Sequence, residues 1–252
     1  MKLLKLLTLL AVATGGIAPI AMAADEPIVR EIYACSFNEG KDMGDLMAAR
    51  DFYLKQMEKA GLDAAVAFVW TPYKAAAGFD FLWANNQASV LEFATSSDAY
   101  LESPEGQAAA ARFDSVASCS SYLAMRRQLY QAEGEMTLGS NGAVINTLAC
   151  NYRSGRGPDD LIDLNSHITE VMDSLDLDGG GAGYVSVPSV GSGPNTRDVY
   201  FYGVASSTEA WARRNMALQA SPGAASLGRH FGAMLECSSA LFFGQRVVPP
   251  LE

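Results

Sequence analysis

The stretches Ala34-Cys35-Ser36-Phe37 and Ala149-Cys150-Asn151-Tyr152 show how this chain is organised, because the second follows the pattern of the first. A further matching pair lies downstream, Cys119-Ser120-Ser121 and Cys237-Ser238-Ser239. The first cysteines of the two copies are 115 positions apart and the last cysteines are 118 positions apart. Self-similarity at a long, nearly constant spacing indicates that one structural unit occurs twice.

The repeat divides the 252 residues into four parts. We expect a signal peptide at 1–23, a first repeat at 24–132, a polar linker at 133–142 and a second repeat at 143–252. A net insertion of three residues, placed in the Gly- and Ser-rich stretch 190–195, accounts for the change in spacing.

Each copy has the hydrophobic periodicity of a β-α-β-β-α-β unit. Asp42 and Gly61 are expected to begin and end the first helix, and Ser103-Pro104 interrupts the second helical stretch. The predicted strands are 29–37, 64–71, 79–84 and 119–129, then 143–152, 183–188, 198–204 and 237–248. The other predicted helical stretches are 89–117, 158–175 and 208–234, with Pro158 at a helix start. This order predicts an α+β fold built from tandem ferredoxin-like (βαββαβ) repeats.

The predicted strands are apolar on both faces. Phe81 and Trp83 alternate with Leu82, and Tyr202 alternates with Phe201. Helices can cover only one face of each sheet, so we expect the two sheets to pack face to face with the helices outside. This arrangement resembles the dimeric α/β-barrel superfamily, to which antibiotic-biosynthesis monooxygenases belong, fused here into one pseudo-dimeric chain.

The first 23 residues have the features of a secretory signal. Lys2 and Lys5 give a positive start, residues 6–20 are apolar, and Ala21-Met22-Ala23 is a small-x-small cleavage site. We therefore expect a periplasmic or secreted protein that begins at Ala24 and has no membrane segment after cleavage. In that compartment disulfides persist.

The four cysteines occupy the same places in both copies, one on the first strand and one at the start of the last strand. These two strands are antiparallel neighbours in a ferredoxin-like sheet. We therefore predict the disulfides Cys35–Cys119 and Cys150–Cys237 among three possible connectivities. No C-x-x-C and no Cys-His spacing of the zinc type occurs in the sequence, so no metal site is predicted.

The formal net charge of −10 argues against nucleic acid as a partner, because binding to phosphates needs clustered Lys and Arg. A nucleophile elbow, a Gly-rich phosphate loop and an H-E-x-x-H motif are all missing from the sequence. The acidic run at 173–178 breaks the EF-hand spacing and is interpreted as a helix end and turn. No motif requires a cofactor.

Two groups of residues could contact a small molecule. The aromatic candidates, whose alternative role is a packed core, are Trp70, Tyr73, Trp83, Tyr184, Tyr200 and Tyr202. The polar candidates near strand ends, whose alternative role is a solvated end, are Asn85, Asn86, Arg126, Arg127 and Gln245. We expect one working site, in the second copy, with Asn146, Tyr202, Trp211 and His230 as its ligand-binding residues.

Three of these four residues also follow from the family resemblance. Haem-degrading antibiotic-biosynthesis monooxygenases use an Asn on the first strand and a Trp and a His on the second helix. Asn146, Trp211 and His230 lie in those elements here, although the Trp-to-His separation of 19 residues is longer than in that family. The resemblance therefore adds haem to the possible ligands, whereas His230 and His167 could equally be helix-surface histidines.

The sequence leads to two functional hypotheses of different classes. The leading one is an exported protein that binds an apolar or aromatic small molecule between sheet and helices. The alternative is a cofactor-independent monooxygenase or isomerase of the dimeric α/β-barrel type. Haem binding is a third hypothesis, ranked after these two. A fold by itself does not choose between them.

Overall fold

The computed structural model describes residues 28–76, 78–134, 136, 142–175, 177, 180–191, 193 and 196–248. The first half contains β1 (Ile28–Phe37), α1 (Met43–Ala60), β2 (Val66–Lys74), β3 (Phe81–Gln87), α2 (Val90–Glu102), α3 (Pro104–Asp114) and β4 (Ala117–Gln131). The second half contains β5 (Ala143–Tyr152), α4 (Asp160–Asp173), β6 (Ala182–Val190), β7 (Val199–Ala205), α5 (Thr208–Ala220), α6 (Pro222–Met234) and β8 (Leu235–Val248). The predicted signal peptide and most of the predicted linker lie outside the described residues.

The eight strands form one closed antiparallel barrel in the order β1-β3-β2-β8-β5-β7-β6-β4. Each half contributes four neighbouring strands, in the orders β4-β1-β3-β2 and β8-β5-β7-β6. The six helices lie in the same places of the two halves, one after the first strand and two after the third. The predicted order of strands and helices is therefore found in both halves.

The two sheets are joined at both edges. β2 pairs with β8, where Trp70 lies opposite Gly244, and β4 pairs with β6, where Arg126 lies opposite Ser186. The sequence predicted only that the sheets face each other. Edge strands carry unpaired N–H and C=O groups, and closure of a barrel satisfies them, which is why the edges pair.

Apolar layers lie on both sides of the barrel wall. One outer core lies beneath the helices of the first half, around Leu46, Phe81 and Trp83. The other lies beneath the helices of the second half, around Leu164 and Phe201. A third layer fills the barrel interior, in which Trp70, Tyr202, Phe242 and Ile145 contact one another. The strands are apolar on both faces because one face contacts helices and the other lines the interior.

Caps fix the predicted helix boundaries. The Asp42 carboxylate accepts hydrogen bonds from the amides of Gly44 and Asp45, and Gly61 ends α1 in the left-handed region at φ 66°. Ser103 is the C-cap of α2, and its hydroxyl accepts a bond from the Gly106 amide at the start of α3. The predicted interruption at Ser103-Pro104 is thus a shared cap between two helices.

The first helix of the second half starts later than the sequence predicted. Pro158 lies in a turn, and α4 begins at Asp160. The Asp160 carboxylate accepts the Gly157 amide and pairs with Arg156, which holds the preceding residues in that turn. The predicted helix start at Pro158 is therefore two residues too early.

Both predicted disulfides are present. Cys35 is bonded to Cys119 and Cys150 to Cys237, with Cα–Cα distances of 4.1 Å. Each bond joins residues that lie directly opposite each other, on β1 and β4 or on β5 and β8. Each disulfide therefore ties the first strand of a half to its last.

In the described part of the chain, no helix combines the length and the apolar character that crossing a membrane requires.

Candidate functional site

The barrel interior contains a chain of aromatic contacts. The ring of Tyr202 lies 5.3 Å from that of Trp70 and 5.1 Å from that of Tyr184, measured between centroids. Trp70 also contacts Phe242 at 6.3 Å. On the same face of the strands, Tyr122 stacks on Tyr200 at 6.0 Å. These rings come from strands of both halves.

Arg30 lies within this aromatic interior and is only 3% exposed. Its Nε donates to Asn86 Oδ1 at 2.7 Å, and its Nη1 donates to the Tyr202 hydroxyl at 2.8 Å. The guanidinium carbon is 5.4 Å from the centre of the Trp70 ring and 5.2 Å from that of Tyr202. Burial lowers the pKa of Arg30 from its ordinary value, and the nearby positive charge of Arg126 lowers it to a smaller extent. An arginine nevertheless keeps its proton in proteins, so the interior holds a positive charge.

Arg126 supplies a second positive charge on the same face. Its guanidinium carbon lies 4.4 Å from the centre of the Tyr184 ring. Its Nε is buried and has no hydrogen-bond partner among the described residues. Directly opposite on β6 is Ser186, which is 1% exposed and whose hydroxyl also lacks a partner within the described chain. Two unsatisfied polar groups thus meet at one register position.

No described carboxylate forms an ion pair with Arg30 or Arg126. Glu31 is next to Arg30 in sequence, but successive side chains of a strand point to opposite faces. Glu31 accepts a hydrogen bond from Asn85 and interacts with Tyr33 in the helix-covered layer. Within the described residues, the positive charges of the interior are therefore met only by aromatic rings and neutral polar groups.

The Tyr202 hydroxyl lies between the two arginines. It accepts the bond from Arg30 and interacts with Arg126 as well. Burial raises the pKa of Tyr202, and the two positive charges oppose that rise. The phenol is therefore neutral at physiological pH and serves as an acceptor for Arg30.

A cavity of about 140 Å³ lies at the end of the barrel where β5 begins and β4 ends. Tyr184 forms part of its wall and also belongs to the aromatic chain of the interior. The lining residues are Gln131, Gly134, Met136, Gly181, Ala182, Tyr184 and Val204. The cavity therefore borders the aromatic interior at Tyr184.

The four site residues predicted from the sequence are distributed over different surfaces. Tyr202 faces the interior. Asn146 lies opposite Gly203 and Leu241, next to the inward-facing Ile145, so it faces the helix-covered side. The structure therefore does not bring Tyr202 and Asn146 together.

The other two predicted residues lie on helices. Trp211 is on α5, and its indole N–H is buried without a hydrogen-bond partner among the described residues. His230 is on α6, and its Nδ1 lies 3.1 Å from Nδ1 of His167 on α4. The sequence treated these two histidines separately, and the structure pairs them.

The helix-covered layer of the second half is where the resemblance would place a haem. The α4 and α6 side chains Leu164, Ile168 and Leu227 belong to one buried apolar core with Phe201 of the sheet. A haem group would have to displace this core, and the residues here do not fit it. In the described residues, no group of three or more His, Cys, Asp or Glu could hold a metal ion. Asp176 and Asp178 of the acidic run lie outside the described residues.

The strand-end and aromatic candidates separate in the same way. Asn86 and Arg126 face the interior, whereas Arg127 and Gln245 are exposed. Trp83 lies in the helix-covered core of the first half and donates to Asn85, and Tyr73 is 46% exposed. Trp70, Tyr184, Tyr200 and Tyr202 line the interior.

Sequence reasoning missed Arg30 and Ser186. The available signal for Arg30 was a basic residue inside the apolar strand Ile28–Phe37. The adjacent Glu31 obscured it, because one of the two charged residues had to face inward and periodicity alone did not say which. For Ser186 the sequence offered no signal.

The comparison with solved structures shows the fold. A protein from Fusobacterium nucleatum classed as a monooxygenase superposes with a TM-score of 0.58 at 9% identity, covering 88% of this chain and 94% of that one. A protein of the same class from Lactobacillus acidophilus gives 0.51 at 10% identity, with 88% and 95% covered. An anthrone oxidase-like protein gives 0.50 at 13% identity, with 90% and 96% covered.

These superpositions cover most of each chain, so this chain shares the fold of these proteins, and the expected packing of strands from both halves is found as one closed barrel. At such low identities they show the fold alone. No protein-family model matches the sequence, and no curated protein matches it.

Proposed function

We propose that this protein is exported and binds a small aromatic molecule at the open end of the barrel. The carrying observation is the cavity of about 140 Å³ with Tyr184 in its wall. An engineered apolar cavity of roughly 150 Å³ in another protein binds benzene, so a single aromatic ring is a suitable size. The ring would lie between the strand residues Gln131, Ala182 and Val204 and the two residues Gly134 and Met136, whereas the sequence placed the site between sheet and helices.

The chemistry of the lining supports an aromatic ligand. Ala182, Val204 and Met136 provide apolar surface, and Gln131 provides an amide that can hydrogen bond. Ligand sites are commonly apolar with a few polar groups that fix orientation. Tyr202 and Arg126 cover the faces of the Tyr184 ring, so its edge is what a bound ring can contact, and edge-to-face aromatic pairs contribute about 0.5–1.5 kcal/mol beyond buried area.

The two disulfides support the export part of the proposal. Such bonds persist in oxidising compartments and are rare in the cytosol. The identical order of elements in the two halves supports descent from a tandem ferredoxin-like repeat, with the first copy at 24–132 and the second at 143–252. N-terminal sequencing of the exported protein tests the signal peptide, for which the expected first residue is Ala24.

Native mass spectrometry of protein purified from its own host tests binding. We expect a retained molecule that denaturation releases and that contains an aromatic ring. The variant Ala182→Met fills the cavity and should abolish retention, whereas Ser189→Met, at the exposed far end of the same strand, should leave it unchanged. Absence of a retained molecule, together with no calorimetric binding of benzyl alcohol or benzoate, would contradict the proposal.

The alternative is oxidation of the bound aromatic molecule by oxygen. The fold neighbours classed as monooxygenases and as anthrone oxidase-like favour it. Oxygen uptake measured with the retained ligand, and with anthrone, decides between the two functions. Recovery of unchanged ligand supports a binding protein, whereas protein-dependent oxygen uptake makes the oxygenase the function. An absorption spectrum of the purified protein tests haem, which would give a Soret band.

A further inference from the structure

We propose that the barrel interior binds an anionic group, a carboxylate or a similar oxyanion, between Arg126 and Ser186. The Tyr202 hydroxyl, which accepts a hydrogen bond from Arg30, also interacts with Arg126. For an organic ligand the inference rests on the proposed function, since the anionic group would be carried by the aromatic molecule in the cavity.

The first argument is uncompensated charge. The chain has 28 acidic and 18 basic residues, so carboxylates are abundant. Among the described residues none of them pairs with Arg30 or Arg126, although both arginines lie on the interior face. Buried charges in proteins are normally paired, because burial of an isolated charge is costly. An anion in the interior would supply the missing partner.

The second argument is the position of the unsatisfied donors. Arg126 Nε and Ser186 Oγ are both buried and unpartnered in the described chain, and their residues are direct neighbours across β4 and β6. A guanidinium N–H and a serine hydroxyl are both donors to an oxyanion. Buried polar groups without a partner are uncommon in native proteins, so two at one register position point to a bound acceptor.

The aromatic rings offer a competing, structural explanation. Arg30 is satisfied within the protein, because Asn86 and Tyr202 accept its hydrogen bonds and Trp70 and Tyr202 lie against its guanidinium. Arg126 is satisfied only in part: Tyr184 covers its charge and Tyr202 interacts with its guanidinium, but its Nε has no acceptor among the described residues. The proposal therefore assigns the direct contact to Arg126 and Ser186, and only a long-range charge to Arg30.

Tyr184 connects the anion position to the cavity. Its ring lines the cavity and its face contacts Arg126. A ring against the edge of Tyr184 could therefore direct an acid group towards Arg126. The same oxyanion chemistry could also come from a free small anion, and the probes below distinguish the two sources.

The test compares three probes at matched ionic strength by thermal unfolding and isothermal titration calorimetry. Benzoate carries ring and carboxylate, benzyl alcohol carries the ring alone, and formate carries the carboxylate alone. We expect benzoate to raise Tm and to bind at least about tenfold more tightly than benzyl alcohol, as expected for hydrogen bonds to a charged group.

The variants isolate the anion position. Arg126→Met should lose the difference between benzoate and benzyl alcohol, whereas Arg127→Met, the exposed neighbour on the opposite face, should keep it. Ser186→Ala removes a hydroxyl that has no partner in the described chain, so it should fold normally and weaken benzoate about tenfold. If Arg126→Met does not fold, the affinity of Ser186→Ala for benzoate still tests the anion position.

Each outcome distinguishes this inference from the proposed function. Formate binding as tightly as benzoate supports the anion position and contradicts the aromatic ligand. Benzyl alcohol binding as tightly as benzoate, in the native protein and in Ser186→Ala, overturns the anion inference and leaves the aromatic ligand standing. If neither anion raises Tm or binds, the inference is wrong whatever benzyl alcohol does.

Discussion

The two places where the halves join have the same geometry and opposite chemistry. The spacing of the repeat makes Arg30 equivalent to Ile145 and Arg126 equivalent to Gly244. Across the paired edge, the register makes Ser186 equivalent to Trp70, and Pro188 and Pro72 follow two residues later. Their spacing of 116 places one of the three inserted residues before Ser186, so the expected insertion at 190–195 accounts for only two of them. One junction, which we call the cationic junction, consists of Arg30, Arg126, Tyr184, Ser186 and Tyr202. The other, which we call the apolar junction, consists of the equivalent residues Ile145, Gly244, Phe68, Trp70 and Ala84.

The difference shows how two junctions with the same strand pairing can have different chemistry. At the apolar junction Trp70 fills the interior, and a Cβ added to Gly244 would collide with Ile145 Cδ1 and come within 3.3 Å of Trp70. At the cationic junction a serine replaces the tryptophan and an arginine replaces the glycine. The site also draws on both halves, because Arg30 and Arg126 come from the first and Tyr184, Ser186 and Tyr202 from the second. The expectation of a site within the second repeat alone does not describe this group.

The largest expected effect tests whether the scaffold itself is symmetrical. The double variants Cys35→Ala/Cys119→Ala and Cys150→Ala/Cys237→Ala each open a loop, of 84 and 87 sequence positions. The chain-entropy model gives a loss of roughly 4–5 kcal/mol for each. We expect equal losses in the free energy of unfolding, measured by urea denaturation. A difference above about 1.5 kcal/mol would show that the halves differ in their scaffold as well as in their junctions.

The next effect compares the equivalent positions Trp70 and Ser186. Trp70→Ala should cost about 3–5 kcal/mol of unfolding free energy, because it removes a buried ring that contacts Tyr202 and Phe242. Ser186→Ala should change it by less than about 0.5 kcal/mol, because the hydroxyl makes no bond within the described chain. Urea denaturation measures both. Comparable losses would break the distinction between a filled and an unsatisfied junction.

A smaller effect concerns the glycine that makes room for Trp70. Gly244→Ala should cost about 1–3 kcal/mol, because the added methyl group overlaps Ile145 and the neighbours must move. The control is Gly228→Ala on α6, where a Cβ would meet open space. That substitution should stabilise the protein by about 0.5–1 kcal/mol, since glycine is unfavourable within a helix. If Gly244→Ala is neutral, the apolar junction is looser than the contacts indicate.

The smallest effect is a pH dependence expected from the helix-covered layer of the first half. Burial raises the pKa of Tyr100 to about 12, and it also raises the pKa values of Tyr33 and Tyr53. The equivalent residues of the second half are Leu148, Ile168 and Leu218, which do not titrate.

The sign follows from the direction of these shifts. Above pH 10, the ordinary tyrosine pKa, the unfolded chain loses protons that the folded chain keeps. Stability should therefore hold up to pH 10 and fall between pH 10 and about 12. Tyr100→Phe should reduce the fall, whereas Leu218→Met should not change it. A fall that is identical in Tyr100→Phe would assign it to other groups.

The sequence predicted the repeated elements because their signals are local. Asp42, Gly61 and Ser103 satisfy helix-end groups within a few residues of themselves, so composition and spacing are sufficient. The disulfides also followed from the sequence, because the repeat placed each cysteine on a first or last strand and the topology made those strands neighbours.

The site depended on information that is not local. Around the proposed anion position, Asn86, Arg126, Tyr184 and Tyr202 were among the sequence candidates and Arg30 was not, whereas Asn146, Trp211 and His230 lie on the helix-covered side. Strand periodicity predicts that Arg30 and Glu31 face opposite sides of the sheet, but it does not predict which of them faces the barrel interior.

The sequence by itself determined the element order, the caps, the cysteine pairing and the need to cover both faces of each sheet. Only the tertiary structure determined that the sheet edges pair, that Arg126 meets Ser186 while Gly244 meets Trp70, and that Arg30 faces inward. The physical reason is that pairing between the halves joins residues about 50 to 180 positions apart, and burial of a charge depends on every strand that surrounds it.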